Sequence, residues 1–449
     1  MSSENKVLTR FAPSPTGNLH IGNARSAILN WIYAEKFNGN FILRIDDTDK
    51  ERSKEEFIDS IKEDLKWLGV KWGLTFKQSE RIENYNNKIL ELKKLKRIYP
   101  CFETPQELSL KRKTLISQGK PPIYDRSSLK LTEAQKEEYI AKGKKPYWRF
   151  LINNEKIYWE DLIRGDVNFD PKNLSDPILI REDGSLLYHL PSVVDDITEN
   201  ITVIIRGEDH VNNTAFHIQL FEALNAKSPI FGHHPLLMDE KGKVLGKRLG
   251  GLSLKDIKNE GFENLTLINY LLTIGTSNNL SSDVEFSSII KSFDIKNLAR
   301  SSPKLNKNDL IKINSDILKK LNFETVKVKL DNMGISNSTP EFWNLIKNNI
   351  LFISESVEWW NIISSQNVLY EEDKEFLKEC ATVLPKEPFN LKTWDEWLLN
   401  IKKISTRQGK ELFKPIRLAL TGKETGPELK FLLPLLSREL ILNRLGIKK

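Results

Sequence analysis

Between Val7 and Gly69, apolar positions recur in two alternating rhythms. Val7 and Leu8 begin a short strand that runs into the turn Pro13-Ser14-Pro15-Thr16-Gly17. Ala24, Ala27, Ile28, Trp31 and Ile32 then return at helical spacing, which predicts one buried helix face. Phe41-Ile42-Leu43-Arg44-Ile45 is compact enough for a buried strand. Ser53 with Glu56 three residues on has the form of a capping box, and Phe57, Ile58, Ile61, Leu65 and Leu68 carry the predicted helix to Gly69. Strand, helix, strand, helix in one run implies a parallel sheet covered by helices. The pattern returns at Ile201-Thr202-Val203-Ile204-Ile205, followed by Arg206-Gly207-Glu208-Asp209-His210 and a helix with Phe216, Leu220, Ala223 and Leu224 on one face.

Between these halves the pattern breaks. Residues 86–186 are helical and basic at first, then read as short strands with turn signals, as an inserted domain does. Lys-rich helical segments with many Trp fill the region after about residue 310. There is no internal repeat and no long low-complexity tract. An open parallel sheet takes its ligands beyond the carboxyl ends of its strands. Segments 10–23, 46–49, 188–196 and 206–210 all fall at such ends and are expected to converge.

Composition narrows the class. Hydrophobic residues are 39% and charged residues 29%, the balance of a soluble globular chain. A length of 449 residues has room for roughly two to four domains. No apolar run approaches a membrane span, and none follows Met1-Ser2-Ser3-Glu4-Asn5-Lys6 as a signal peptide requires. Cys101 and Cys380 are far apart and in no metal-like spacing, so a reducing cytoplasm is expected. The net charge of +7 suits a polyanionic partner but does not require one, since a Lys-rich solvated surface looks the same.

Candidate chemistry begins at His20-Ile21-Gly22-Asn23, which opens the first helix. A glycine there lets backbone approach a ligand closely, helix N-terminal amides favour phosphate, and His20 can hydrogen-bond phosphate oxygens as charge builds. Taken alone, a histidine that merely caps or packs at a helix start is the commoner case.

The wider run Thr9-Arg10-Phe11-Ala12-Pro13-Ser14-Pro15-Thr16-Gly17-Asn18-Leu19-His20-Ile21-Gly22 resembles the first signature of class I aminoacyl-tRNA synthetases, in the glutamyl/glutaminyl branch. Arg44-Ile45-Asp46-Asp47-Thr48-Asp49 resembles that branch's Arg-Ile-Glu-Asp-Thr-Asp. Tyr188-His189-Leu190-Pro191-Ser192-Val193-Val194-Asp195-Asp196 with Ile205-Arg206-Gly207-Glu208-Asp209-His210 resembles its second substrate-binding stretch. The likeness continues through Phe293-Asp294 and Ser301-Ser302-Pro303 to Leu412-Phe413-Lys414-Pro415-Ile416-Arg417 and Thr421-Gly422, so it covers nearly the whole chain. Val244-Leu245-Gly246-Lys247-Arg248 stands where the second signature, Lys-Leu-Ser-Lys-Arg in this branch, is expected. Two positions depart from it: Val244 replaces the first lysine and Gly246 replaces the serine.

The resemblance to bacterial-type glutamyl-tRNA synthetases implies an α/β Rossmann-like catalytic domain at 1–85 and 187–245, split by an inserted acceptor-end-binding domain at 86–186. A stem-contact domain at 246–312 and an all-α anticodon-binding region at 313–449 are expected to follow. It implies a ligase that joins L-glutamate to tRNA(Glu) through an adenylate, using ATP and Mg2+ and releasing AMP and pyrophosphate, with tRNA(Gln) a further substrate candidate. His20, Gly22 and Lys247 fall on the catalytic positions. Pro13, Gly17, His20, Gly22, Asn23, Glu208, Asp209, Lys247 and Arg248 fall on the ATP site. Arg10, Ala12, Ser14, Asp46, Tyr188, Ser192 and Arg206 fall on the glutamate site. A dianionic amino acid needs cations at its carboxylates, which Arg10 and Arg206 offer as bidentate forks, and an anion at its amine, which Asp46 offers. Some relatives hold zinc in the inserted domain. Here Cys101 and Tyr124-Asp125-Arg126 have no further cysteine nearby, so no zinc is expected. The basic stretch 86–150 carries Tyr99, Tyr147 and Trp148 among lysines, which would suit an acceptor end by stacking and phosphate contact. Trp359, Trp360, Trp394 and Trp397 are read as helical core rather than stacking platforms.

Rival readings are a glutaminyl-tRNA synthetase, a truncated relative that modifies a tRNA base, and a non-catalytic RNA-binding protein. The helical C-terminus argues against the first two. A cytoplasmic monomer without membrane contact is the family expectation.

Overall fold

The computed structural model describes residues 6–245, 253–365, 370 and 372–447. Its contacts divide into two compact units, one of residues 1–258, 267–281 and 285–306, the other of 259–266, 282–284 and 307–449.

The first unit opens with β1 (Leu8–Phe11), α1 (Ile21–Lys36), β2 (Asn40–Ile45), α2 (Glu55–Trp67) and β3 (Leu74–Lys77), with the strands paired in parallel. After α3 (Ile82–Lys94) come β4 (Ile98–Cys101), α4 (Pro105–Ser117), α5 (Glu133–Ala141), β5 (Tyr147–Phe150), β6 (Ile157–Asp161), β7 (Gly165–Phe169) and β8 (Ile178–Ile180). The alternation resumes with α6 (His189–Thr198), β9 (Val203–Gly207), α7 (Val211–Ala223) and β10 (Ile230–His234). β9 and β10 pair in parallel, and β1 lies beside β9: the Leu8 amide donates to Thr202 Oγ1 at 2.8 Å and the Thr202 amide to Leu8 O at 3.0 Å. The order β3-β2-β1-β9-β10 is that of a doubly wound sheet whose strand order reverses beside β1. Strands β4, β5 and β8 make a separate antiparallel sheet, whereas the hairpin β6–β7 extends the central sheet through β10.

Two local expectations change. Helix α1 is buried on nearly all sides, not on one face: Ala27 to Ala34 are hidden without a break. It runs between the sheet and the segment around Phe286, whose ring meets Trp31 edge-on at 5.6 Å. Two of its buried polar side chains reach carbonyls. Arg25 donates to Pro235 O at 3.0 Å and Ile274 O at 2.8 Å, and Asn30 stitches α1 to β9 through Ile205. The capping box at Ser53 and Glu56 does not form. Helix α2 starts at Glu55 behind Lys54, because the Ser53 amide already donates to Asp49 O at 3.0 Å to close the preceding turn.

The second unit is helical from Lys307–Lys320 onward. Trp343 and Trp397 are fully buried and donate their indole N–H to Leu321 O and Cys380 O at 2.8 and 2.9 Å. Trp359 is also buried, while Trp360 and Trp394 are half-buried. Gly422 ends the helix Gly409–Thr421 at φ +67°, a left-handed cap that glycine adopts without strain. Among the described residues no helix is long and apolar enough to cross a membrane.

Candidate active site

A cavity of about 540 Å³ opens at the carboxyl ends of β1, β2, β9 and β10. The loop after β1 contributes Ala12, Pro13, Ser14, Gly17 and His20, the first turn of α1 contributes Gly22 and Asn23, and β1 itself contributes Arg10. Asp46 enters from the end of β2 and Tyr188 from the start of α6. Arg206 and Gly207 enter from β9 and Asp209 and His210 from the turn after it, while His234 ends β10 and Leu236 and Leu237 follow it. The four segments expected to converge do so, although Asp46 alone represents 46–49 and Tyr188 alone represents 188–196. Asp47 turns away to accept from Ser79, and Asp49 pairs with Arg52 at 2.6 Å.

His20 is the N-cap of α1, and its Nδ1 accepts the Gly22 amide at 3.1 Å. That bond puts the ring proton on Nε2, a donor suited to a phosphate oxygen beside the helix-end amides. A Cβ at position 22 would stand 3.0 Å from His20 Cε1, so the glycine first serves the seating of the ring.

The cavity floor is an arginine–carboxylate network. Arg44 is fully buried; it pairs with Asp46 at 2.7 Å and Asp196 at 2.9 Å, with Asp195 at 3.9 Å. Burial alone would lower its pKa, but the carboxylates outweigh this and hold it well above the usual arginine value. Burial raises the pKa of Asp46, and Arg44 partly offsets the rise. Arg10 forks onto Asp196 at 3.0 and 3.3 Å. Its guanidinium is thus already paired within the protein. Burial also raises Asp195, to about 6, against Arg44, Gln78 and Tyr85.

Arg206 is different. It is buried, and its hydrogen bonds go to neutral partners: Tyr188 Oη at 3.1 Å, Thr214 Oγ1 at 2.7 Å, His233 Nε2 at 3.3 Å and His210 O at 3.5 Å. Among the described residues it makes no ion pair with a carboxylate. Burial, the largest cause, lowers its pKa, as expected of a cation without an adjacent anion. Burial likewise holds His210 and His189 at about 4 and His234 at about 3, so these rings are neutral near pH 7. His233 sits behind Arg206. Its Nδ1–H donates to the Asp161 carboxylate, while its Nε2 accepts from Arg206 and lies 2.8 Å from the Thr214 hydroxyl. Asp161 Oδ1 also accepts the amides of Ile163, Arg164 and His233 at 3.1, 3.0 and 3.0 Å.

Several expected contacts lie elsewhere. Ser192 is buried beneath the cavity, where its Oγ and carbonyl accept from Arg44 at 3.0 and 3.2 Å. Glu208 does not line the cavity; it braces the β9 loop through Arg164 at 3.0 Å, Ser302 at 2.9 Å and the Leu236 amide at 3.1 Å. Lys247, Arg248 and Gly246 lie outside the described residues. Val244 and Leu245 line the cavity, and Ser253 pairs with His20. Sequence reasoning passed over His233, Thr214 and Asp161. The pairings of His233 with Thr214, Arg206 and Asp161 span 19, 27 and 72 residues, and no motif spacing links them.

Tyr99 and Tyr147 cannot stack on a nucleic acid as expected. Both are buried strand residues whose hydroxyls donate to Asp176 at 2.6 Å and Glu103 at 3.2 Å; Trp148 is half-buried, with Lys93 3.9 Å from its ring centre. Glu103 is the hub of the β4–β5 sheet. Tyr124, Ser127 and Ser128 donate to it at 2.7, 2.8 and 2.8 Å. Burial would raise its pKa, but these hydroxyls outweigh it and bring the group down to about 2. Cys101 is buried beside it, 3.7 Å from Tyr124 Oη.

Known proteins match the chain over nearly its whole length. The family described as tRNA synthetases class I (E and Q), catalytic domain, matches residues 6–312, and the anticodon binding domain matches residues 340–447. A glutamate–tRNA ligase 1 of Chelativorans sp. (strain BNC1) is 46% identical over 452 residues, covering 98% of this chain and 99% of that protein. A glutamate–tRNA ligase 1 of Rickettsia massiliae (strain Mtu5) is 47% identical over 445 residues, with the same coverage. The crystal structure of a glutamate tRNA ligase from Elizabethkingia meningosepticum in complex with its amino acid superposes with a TM-score of 0.85 at 24% identity, covering 98% of this chain and 99% of that one. At that identity the likeness speaks for the fold.

Proposed function

The chain belongs to the class I tRNA synthetases of the E and Q type, and from that membership we propose the reaction and the residues that serve it. The enzyme ligates L-glutamate to tRNA(Glu) with ATP, through a glutamyl-adenylate, releasing AMP and pyrophosphate. Arg206 takes a substrate carboxylate. The observation that carries this role is its burial at the cavity wall with neutral partners only. A buried cation in that setting gains most from an anionic ligand, and an arginine fork matches a carboxylate. Tyr188, Ala12 and Ser14 complete that side of the pocket, and Asp46 faces the amine.

In the first step a glutamate carboxylate oxygen bonds to the α-phosphorus of ATP as the bond to pyrophosphate breaks. His20 donates from Nε2 to the phosphate, with the α1 amides, Pro13, Gly17 and Asn23 around the nucleotide, Asp209 at its rim, and Lys247 and Arg248 at the departing pyrophosphate. Magnesium, carried on the phosphates, supplies charge neutralisation there. In the second step the terminal ribose hydroxyl attacks the acyl carbon and AMP leaves. Neither step requires a side-chain nucleophile. No zinc is needed: one sulfur at Cys101 and a Tyr124 hydroxyl bound to Glu103 fall short of a four-ligand site.

Segment 86–186 serves the acceptor end, 246–312 the stem and 313–449 the anticodon, the last supported by the anticodon-domain match. The protein acts as a cytoplasmic monomer. The test is aminoacylation of purified tRNA(Glu) and tRNA(Gln) side by side with labelled glutamate and glutamine. Glutamate on tRNA(Glu) is expected; label on tRNA(Gln) would add a second substrate. Binding of tRNA without charging would assign the chain to the non-catalytic reading.

A further inference from the structure

We infer that His233 and Asp161 are positioning residues for Arg206, holding its fork toward the substrate carboxylate without neutralising it. The inference rests on the reading that Arg206 takes that carboxylate. An arginine at a cavity wall has long, mobile torsions, so its direction must be set by neighbours. Where a carboxylate sets it, as Asp196 does for Arg10, the charge is already matched. At Arg206 the same alignment comes from an uncharged acceptor. His233 Nε2 takes the Arg206 Nε–H at 3.3 Å, and the Thr214 hydroxyl, which accepts from Arg206 at 2.7 Å, lies 2.8 Å from the same nitrogen and 3.3 Å from the His210 carbonyl. A guanidinium only donates, so the ring nitrogen that takes its Nε–H carries no proton. Asp161 meets that requirement from the other side of the ring, because its carboxylate takes the Nδ1–H and so fixes the tautomer.

The negative charge is thus placed one residue away from the arginine. There it is further satisfied by the amides of Ile163, Arg164 and His233. Both His233 and Asp161 are buried, and Phe231 stacks on the imidazole with a centroid separation of 6.2 Å. Asp161 ends β6, the strand of the intervening segment that pairs with β10. The shape of the amino-acid pocket therefore depends on a hairpin that lies between the two halves of the sheet in sequence.

The variants separate the parts of this relay. In Asp161→Asn the side-chain oxygen can still accept the backbone amides, but its NH2 now faces His233 Nδ1. The imidazole proton moves to Nε2, where it opposes the Arg206 Nε–H. The KM for glutamate is expected to rise on the order of tenfold, while kcat and the KM values for ATP and tRNA change less than about twofold. His233→Asn keeps a partner for Asp161 but loses the distal acceptor, and it should behave like Asp161→Asn. His233→Gln keeps a distal oxygen acceptor and should restore glutamate KM to within a few-fold of the unaltered enzyme.

An independent readout is the nitrogen-15 spectrum of the imidazoles in the unaltered chain, which has 6 histidines. His233 is expected as the Nδ1–H tautomer, switching to Nε2–H in Asp161→Asn. The inference is overturned if the unaltered His233 is protonated on Nε2. It is also overturned if His233→Asn and His233→Gln have equal glutamate KM values, or if the ATP and glutamate KM values rise together. Should the unaltered enzyme fail to charge glutamate at all, the functional reading fails instead, and the spectrum still decides the tautomer.

Discussion

Arg44 in β2 and Arg206 in β9 end up at the same side of the sheet, and both are buried, with 1% and 5% of their surfaces exposed. Their surroundings are opposite. Arg44 is enclosed by Asp46, Asp195 and Asp196, which hold it firmly charged. Arg206 meets a phenol, a hydroxyl, an imidazole and a carbonyl, and burial weakens its hold on its proton. A buried cation with matched carboxylates is part of the scaffold, whereas one left with neutral dipoles is completed by its ligand. Residue type and burial are shared, so the distinction lies wholly in the partners. By that criterion Arg10, forked onto Asp196, stands nearer to Arg44 than the motif alone suggests.

The largest contrast should appear in stability. Arg44→Ala leaves clustered buried carboxylates without their cation, at a cost of about 3–5 kcal/mol. The expected outcome is a large fall in melting temperature or loss of soluble protein, with Arg206→Ala much milder. Equal melting temperatures for the two variants would erase the distinction.

Why Arg206 but not Arg44 stood out in the sequence follows from how each signal is encoded. Motifs at strand ends were legible, because Pro13 to Gly22 and Arg206 to His210 are continuous runs at fixed points of an alternating pattern. Their convergence followed from parallel-sheet topology. Asp46 is local to Arg44, two residues on in the same run, but Asp196 reaches Arg44 across 152 residues and Arg10 across 186. Nothing local records such pairings, nor that of Asp161 with His233. Ser192 shows the same limit from the other side: the motif position is right, yet its side chain bonds Arg44 beneath the cavity. Tyr99 and Tyr147 misled because aromatic residues among lysines look alike whether a strand buries or exposes them.

A third charge-centred site sharpens the comparison through pH. Glu103 is an anion held by three hydroxyls, with the Lys111 ammonium at 3.6 Å. Its native pKa, about 2, lies below its ordinary value of 4.5. The stabilisation is therefore present above about pH 4.5 and is lost as pH falls toward 2. In Glu103→Gln the melting temperature should be lower near neutrality, and its decline between those limits should be shallower. An acid limb identical to that of the unaltered chain would mean that Glu103 is not held ionised by its neighbours.

The smallest expected effect is at Tyr188, whose hydroxyl accepts from Arg206 at 3.1 Å. Tyr188→Phe removes one hydrogen bond, worth about 0.5–1.5 kcal/mol. Glutamate KM should rise a few-fold, with tRNA affinity unchanged in a filter-binding assay. A hundredfold rise would place Tyr188, rather than Arg206, at the centre of carboxylate recognition.

The central claim, that Arg206 is the cation the substrate completes, is tested most directly by glutamate titration of tRNA(Glu) charging in Arg206→Ala. Loss of a charge-assisted pair worth roughly 1.5–3 kcal/mol should reduce kcat/KM for glutamate by about 10- to 150-fold. Affinity for tRNA and the melting temperature should stay close to those of the unaltered enzyme. Unchanged glutamate kinetics in a folded, tRNA-binding Arg206→Ala protein would contradict the account.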